Sequence, residues 1–337
     1  MSVISANRAY NFSGMTILIV DANDFARSFT RNICRGFRFG EIVTAKDPVE
    51  ALGYLKGKVI DIVLTEWAFR PVNGASFIRH VRASDGILNP YVPVIVLTAC
   101  TELETVAQAR DAGSTEFLTR PLVLGRLLAR LTHALSAPRP FVRSATYFGP
   151  DRRRRQRPFD GPDRRGAAAP ARLVRSSLAQ EVSEKVLRAG GLTIDQMIAA
   201  GDQIVAEEAG RYREVRRADL QELVMLVKEM KASETPHPEI FEHIYVKALD
   251  LKGMGETFGY QLLTRSGDSL CALLWNLSAA ATRTAIVRQG IEAHVMVMSL
   301  ILEREIENDG GPLGGELIAS LQTLVARARG IAPDLAD

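Results

Sequence analysis

The chain has 337 residues, 47% of them hydrophobic, and a formal net charge of +3, enough to bury one sizeable core and a second beside it. Its longest apolar runs, such as "VMVMSLIL" at 295–302, fall far short of the roughly 20 residues a membrane span needs, and the first twenty residues lack the succession of a secretory signal. The expectation is a soluble, cytoplasmic protein without a membrane span, whose three well-separated cysteines (Cys34, Cys100, Cys271) are reduced thiols rather than disulfides or metal ligands.

Residues 1–13 carry no periodic pattern and read as an N-terminal tail. From residue 14 the chain alternates: "TILIV" (16–20), "EIVTA" (41–45), "VIDIVLT" (59–65), "VPVIVLT" (92–98) and "TEFLT" (115–119) are short β-branched or aliphatic runs, each followed by a longer stretch of helical periodicity. Near-continuous apolar strands separated by helices imply a parallel sheet covered on both faces. Five such units make a doubly wound α/β domain over 14–136. Ligand chemistry in such folds gathers outside the carboxyl ends of the strands. The residues there are Asp21 and Ala22, Glu66, Thr98, and Arg120 with Pro121.

Residues 137–175 differ in kind. Between Arg139 and Arg175 stand eleven arginines and three aspartates without a lysine, with "GPDRR" repeated at 149–153 and 161–165. Such a stretch buries too little apolar surface to offset its ordering entropy and reads as a flexible linker. Beyond it, residues 176–330 are helical by pattern. Residues 193–231 fit one long helix or two stacked ones with a break at Gly210, and four more amphipathic helices follow, "PEIFEHIYVKALDLKGMG" being the first. Together they suggest an all-α bundle.

The elements "IVDANDFAR", "LTEWAFRPVNG", "IVLTACT" and "FLTRP", each at a strand end and in this order, resemble the receiver domain of bacterial two-component response regulators over residues 14–136. The resemblance implies a flavodoxin-like fold. It also implies a site in which two acidic residues follow the first strand, a phosphoacceptor aspartate the third, Thr or Ser the fourth and Lys-Pro the fifth. In these terms Thr98 and Phe117 match the family's switch residues, although a core-lining Thr and Phe explain them almost as well.

The departures all fall in that site. Glu66 stands in the acceptor position, Ala22 in place of the second acid, and Arg120 in place of the lysine. Phosphoryl transfer is mostly positioning and charge neutralisation, and a misplacement of about 1 Å costs around a hundredfold in rate. Ala22 offers Mg²⁺ no oxygen, which leaves at most a weak site at Asp21 and Glu66. Three readings stand: a pseudo-receiver locked by a Glu66–Arg120 ion pair, a decayed site with Glu66 as a tolerated acid, and residual chemistry. Asp24, in the loop, offers a substitute for the missing acid, but reads rather as the cap of the helix beginning near Phe25.

Within the bundle, "KALDLKGMGETFGYQLL" resembles the histidine phosphotransfer domain. Ala248, Leu251, Lys252, Gly253 and Gly259 match its motif, and Leu249 occupies the place of the phosphorylated histidine. The core stripe Phe241, Ile244, Ala248, Leu251, Gly255 leaves Leu249 roughly 120° away on the helical wheel, towards the surface. His243 and His294 read as structural. The two resemblances imply a non-catalytic signalling adaptor with no cofactor, whose partners are histidine kinases, phosphotransfer proteins or response regulators, and whose helical domain offers a dimerisation element. The alternative is a nucleic-acid-binding regulator, or one binding an acidic protein, through the arginine-rich linker.

Overall fold

The computed structural model describes residues 8–69, 72–83, 85–100, 102–152, 172–174, 176–233, 236–275, 277–278 and 281–330. The chain forms two compact units, Met1–Thr119 with Val123–Ile204, and Arg120–Leu122 with Val205–Asp337.

The first unit opens with a short strand, β1 (Ala9–Tyr10), and is built on β2 (Thr16–Val20), β3 (Glu41–Ala45), β4 (Ile62–Thr65), β5 (Val94–Thr98) and β6 (Glu116–Thr119). These five form an all-parallel sheet in the order β3-β2-β4-β5-β6. Five helices link and follow them: α1 (Asp24–Gly36), α2 (Pro48–Gly57), α3 (Gly74–Ala83), α4 (Leu103–Ala112) and α5 (Leu124–Ser136). Ile17, Leu18, Ile62, Val63, Val94 and Ile95 are fully buried although neighbours along a strand point to opposite faces. The sheet is therefore covered on both sides, as the unbroken apolar runs require. This is the expected flavodoxin-like doubly wound fold. Val20 lies beside both Ala45 and Thr65, and Thr98 beside Thr119, which brings the carboxyl ends of neighbouring strands level.

Two expectations about the chain outside the sheet are corrected. Residues 8–13 are not a loose tail: β1 pairs antiparallel with β10 (Leu192–Thr193), and buried Phe12 stacks on Phe39 at 4.6 Å. Nor is 137–175 wholly a flexible linker. It contains β7 (Phe141–Arg143), β8 (Phe148–Pro150) and β9 (Arg172–Val174), an antiparallel sheet in the order β8-β7-β9. The cause is tertiary. Tyr91 receives Phe141 and Phe148 edge-on at 5.1 and 5.2 Å, and Arg139 reaches the carboxylate of Glu116. Residues 153–171 of the expected linker lie outside the described residues. A helix not foreseen, α6 (Ser177–Val186), follows, and it groups with the first unit rather than with a helical domain starting at 176.

Residues 194–232 form one helix, α7 (Ile194–Ala232), which runs through Gly210 without a break. The second unit continues with α8 (Pro238–Met254), α9 (Gln261–Leu274), α10 (Ala285–Glu303) and α11 (Gly311–Ala328). α9 packs against α8, α10 and α11, around a core that includes Ile244, Leu263, Leu270, Ile291 and Met298. Among the described residues, α10 is long and apolar enough by length and composition alone to cross a membrane, a test that a buried core helix also passes. Half of its apolar window is buried within the protein, and it encloses a histidine, His294.

Candidate functional site at the carboxyl ends of the strands

β2 and β4, paired through Val20 and Thr65, each end on an acidic residue, Asp21 and Glu66. The Glu66 backbone N–H donates to the Val20 carbonyl at 2.9 Å and that of Asp21 to the Ala45 carbonyl at 3.1 Å, so both residues leave the sheet on its last hydrogen bonds. Asp21 is 5% exposed, and its Oδ1 accepts from the Asn23 N–H at 2.9 Å. Asn23 in turn caps α1 by accepting from the Ala26 N–H at 2.9 Å. This corrects the expected cap: Asp24 is the first helical residue, paired with Arg27, where its charge favours the helix N-terminus. Ala22 is exposed and brings only a methyl group.

Glu66 is half-buried. Its Oε1 accepts from the backbone N–H groups of Trp67 at 2.6 Å and Ala68 at 3.3 Å. The added methylene lets the carboxylate fold back onto the loop that follows β4, where the two charge-assisted bonds hold it. Thr98 is fully buried, and its Oγ1 accepts from the Cys100 N–H at 3.2 Å. Phe117 is half-buried on β6. Arg120 follows β6, is 6% exposed, and in its own unit places Nη1 3.1 Å from Met254 Sδ.

Mg²⁺, which a receiver site implies, demands near-octahedral oxygen coordination. Here one oxygen of each carboxylate already accepts backbone N–H groups, and Ala22 adds none. Among the described residues no three His, Cys, Asp or Glu side chains gather in a metal-binding group. The residues present do not fit the ion.

The expected phosphotransfer-like site is placed differently from its reading. Leu249 is 7% exposed, not a surface residue, and Lys252 is 3% exposed. Ala248, Leu249, Leu251, Lys252, Gly253 and Met254 are all buried; the last two turns of α8 are enclosed nearly all round, a pattern that a single apolar stripe does not describe. Lys252 Nζ meets Asp268 Oδ1 at 2.6 Å. His243 is exposed.

Two clusters, around Glu116 and Arg82, escaped sequence reasoning because their partners are remote in the chain, and the fold gives His294, read only as structural, its surroundings. His294, fully buried, places Nδ1 2.7 Å from the Gly290 carbonyl and Nε2 2.8 Å from Ser269 Oγ, and burial pushes its pKa down. Glu116, with its side chain 1% exposed, is met by Arg130 and Arg139 at 2.9 Å each. Arg82, 4% exposed, donates among the described residues to carbonyls alone, those of Gly113, Pro90 and Val92.

The response regulator receiver domain family matches residues 17–132. The transcriptional regulatory protein ZraR of Escherichia coli (strain K12) is 29% identical over 139 residues, which are 40% of this chain and 30% of that protein, so the chain spans about a third of that relative's length. The chemotaxis protein CheY-3 of Vibrio cholerae is 29% identical over 117 residues, 35% of this chain and 88% of that protein. A solved structure of Vibrio cholerae CheY4 has 24% identity and a TM-score of 0.34, covering 36% of this chain and 99% of that one. With the sheet order, the residues at the strand ends and the family match in hand, residues 17–132 are a response regulator receiver domain, the module of two-component signalling.

Proposed function

We propose that this chain is a non-catalytic adaptor of two-component signalling in the cytoplasm: its receiver takes no phosphate, and it docks a histidine kinase, phosphotransfer protein or response regulator through its folded surfaces. One observation carries the reading. The Glu66 carboxylate is tied to the Trp67 and Ala68 N–H groups instead of standing free as a nucleophile, beside an Ala22 that gives a metal nothing to hold. A weak, misplaced acid without Mg²⁺ is a poor phosphoryl acceptor.

The test is incubation with labelled acetyl phosphate and Mg²⁺. The protein is expected to stay unlabelled; an acid-labile, base-labile label on the receiver overturns the reading. The ion pair between Glu66 and Arg120 expected from sequence belongs to this proposal. A double-mutant cycle with Glu66→Ala and Arg120→Ala measures it, strict additivity pointing to a decayed site instead.

The nucleic-acid reading is weaker. Of the arginines that suggested it, Arg139 is engaged by Glu116 and Arg152 by Asp111.

A further inference from the structure

We propose that the cleft between the C-terminal end of α3 and the β7–β8 hairpin, within the first unit, is a binding site for a small phosphorylated molecule. The inference does not rest on the adaptor reading. The cleft has a volume of about 690 Å³ and is lined by Arg79, Arg82 and Arg143, with Asp85, Asp111 and Tyr147 among the remaining residues. That volume is in the range of small-molecule sites.

Charge in the cleft is positive. Asp111 is already met by Arg152 Nη1 at 3.1 Å and Arg110 Nε at 3.3 Å, which leaves Asp85 against three guanidinium groups. Arg82 is the unusual member. Four of its five N–H donors go to neutral oxygens: Nε and one of Nη2 to Gly113 O at 3.1 and 3.0 Å, and those of Nη1 to Pro90 O and Val92 O at 2.8 Å each. Its guanidinium also lies 5.1 Å over the Phe141 ring. Its partners satisfy most of its hydrogen bonds but do not cancel its charge, and burial lowers its pKa to about 9. A desolvated cation with no carboxylate partner among the described residues gains from an anion in the adjoining cleft. Planar guanidinium forks suit the paired oxygens of a phosphate better than a halide, and the cleft has room for more than the phosphate.

The walls are built rather than incidental. Phe148, which lines the cleft, closes with Phe141 on Tyr91 behind it, the lining Tyr147 donates its Oη to Pro150 O at 2.9 Å, and next to the lining residue Ala112 stands Gly113 at φ +102, where a Cβ would stand 3.0 Å from the Phe148 carbonyl. The left-handed backbone and the close approach of the hairpin both call for glycine there.

The experiment is titration calorimetry of the full chain with pyrophosphate, AMP and adenosine at about 0.15 M salt, where exposed charges are screened. Pyrophosphate and AMP are expected to bind in competition at a single site, and adenosine not at all. Arg79→Ala and Arg143→Ala should each weaken AMP by about tenfold, the loss of one charge-assisted contact, while the melting temperature holds, since both side chains are at the surface. Arg143→Lys, which keeps the charge and loses the fork, should recover only part. Three outcomes overturn the proposal: no saturable binding of either anion up to about 1 mM; binding unaltered in the Arg79→Ala, Arg143→Ala double variant; or displacement of AMP by a random duplex, which would make the surface a nucleic-acid face.

Discussion

Arg139 Nη2 lies 2.9 Å from Glu116 Oε1, joining the start of the arginine-rich stretch to the last strand of the receiver sheet. The carboxylate is 1% exposed and the guanidinium 19%, so the pair is screened far less than a surface bridge. Arg139 also donates to the Thr115 carbonyl. Arg130, 40% exposed, shares Glu116 and softens the loss of either partner. Arg139→Ala is therefore expected to cost about 2 kcal/mol, less than the full penalty of stranding a buried charge. Urea unfolding followed by circular dichroism measures it. The Glu116→Ala, Arg139→Ala double variant should cost less than the sum of the singles; equal sums would mean that the contact contributes nothing.

Restoring the missing acids tests the assignment of the receiver site. Ala22→Asp with Glu66→Asp returns a third oxygen source and withdraws the carboxylate from the Trp67 and Ala68 N–H groups. The double variant should bind Mg²⁺ measurably, seen as quenching of Trp67 fluorescence, and Glu66→Asp alone should bind it less. Equal, undetectable binding in both would place the defect outside these two positions.

The sheet was readable because its central strands β2, β4 and β5 are nearly unbroken apolar runs with a polar stop, and Asp21, Glu66 and Thr98 could be placed by that stop alone. The ordered part of the arginine-rich stretch was not. "FVR" and "FGP" are three residues each, too short for any period, and they are strands only because Tyr91 and Glu116, remote in sequence, receive them. The cap of α1 went to Asn23 rather than Asp24 because both are good capping residues one position apart, and backbone dihedrals decide between them. Leu249 was misplaced for a different reason. A helical wheel locates one stripe, whereas the end of α8 is enclosed on several sides.

His294 predicts a pH dependence. Its folded pKa lies below the ordinary 6.5 because burial disfavours the imidazolium, and its contacts are to a carbonyl and a hydroxyl, neither charged. The unfolded chain then binds this proton more readily than the folded one. Stability is full above the unfolded value, about 6.5, and is lost as pH falls through it towards the folded value. Thermal melts at 222 nm between about pH 7.5 and 5 should show a falling transition, and His294→Gln should lower stability at neutral pH while flattening that slope. An unchanged slope in the variant would assign the acid sensitivity to other groups.

Leu249 carries the question of whether the helical unit presents a phosphotransfer-like face. A leucine 7% exposed loses both transfer free energy and packing when shortened, so Leu249→Ala should cost about 3 kcal/mol. For a chain of this size that is a drop in melting temperature on the order of 10 °C. Leu249→Asp, which buries an unpaired carboxylate, should prevent the helical unit from folding. Leu249→Met, nearly volume-conserving, should cost under about 1.5 kcal/mol. Circular dichroism melts of the three variants decide between core and surface. The graded series Met, Ala, Asp identifies a core side chain that no partner can reach, and a docking face must then be sought elsewhere in the unit. If all three melt like the parent, the side chain is free at the surface, and Leu249→Asp becomes the variant with which to test partner capture.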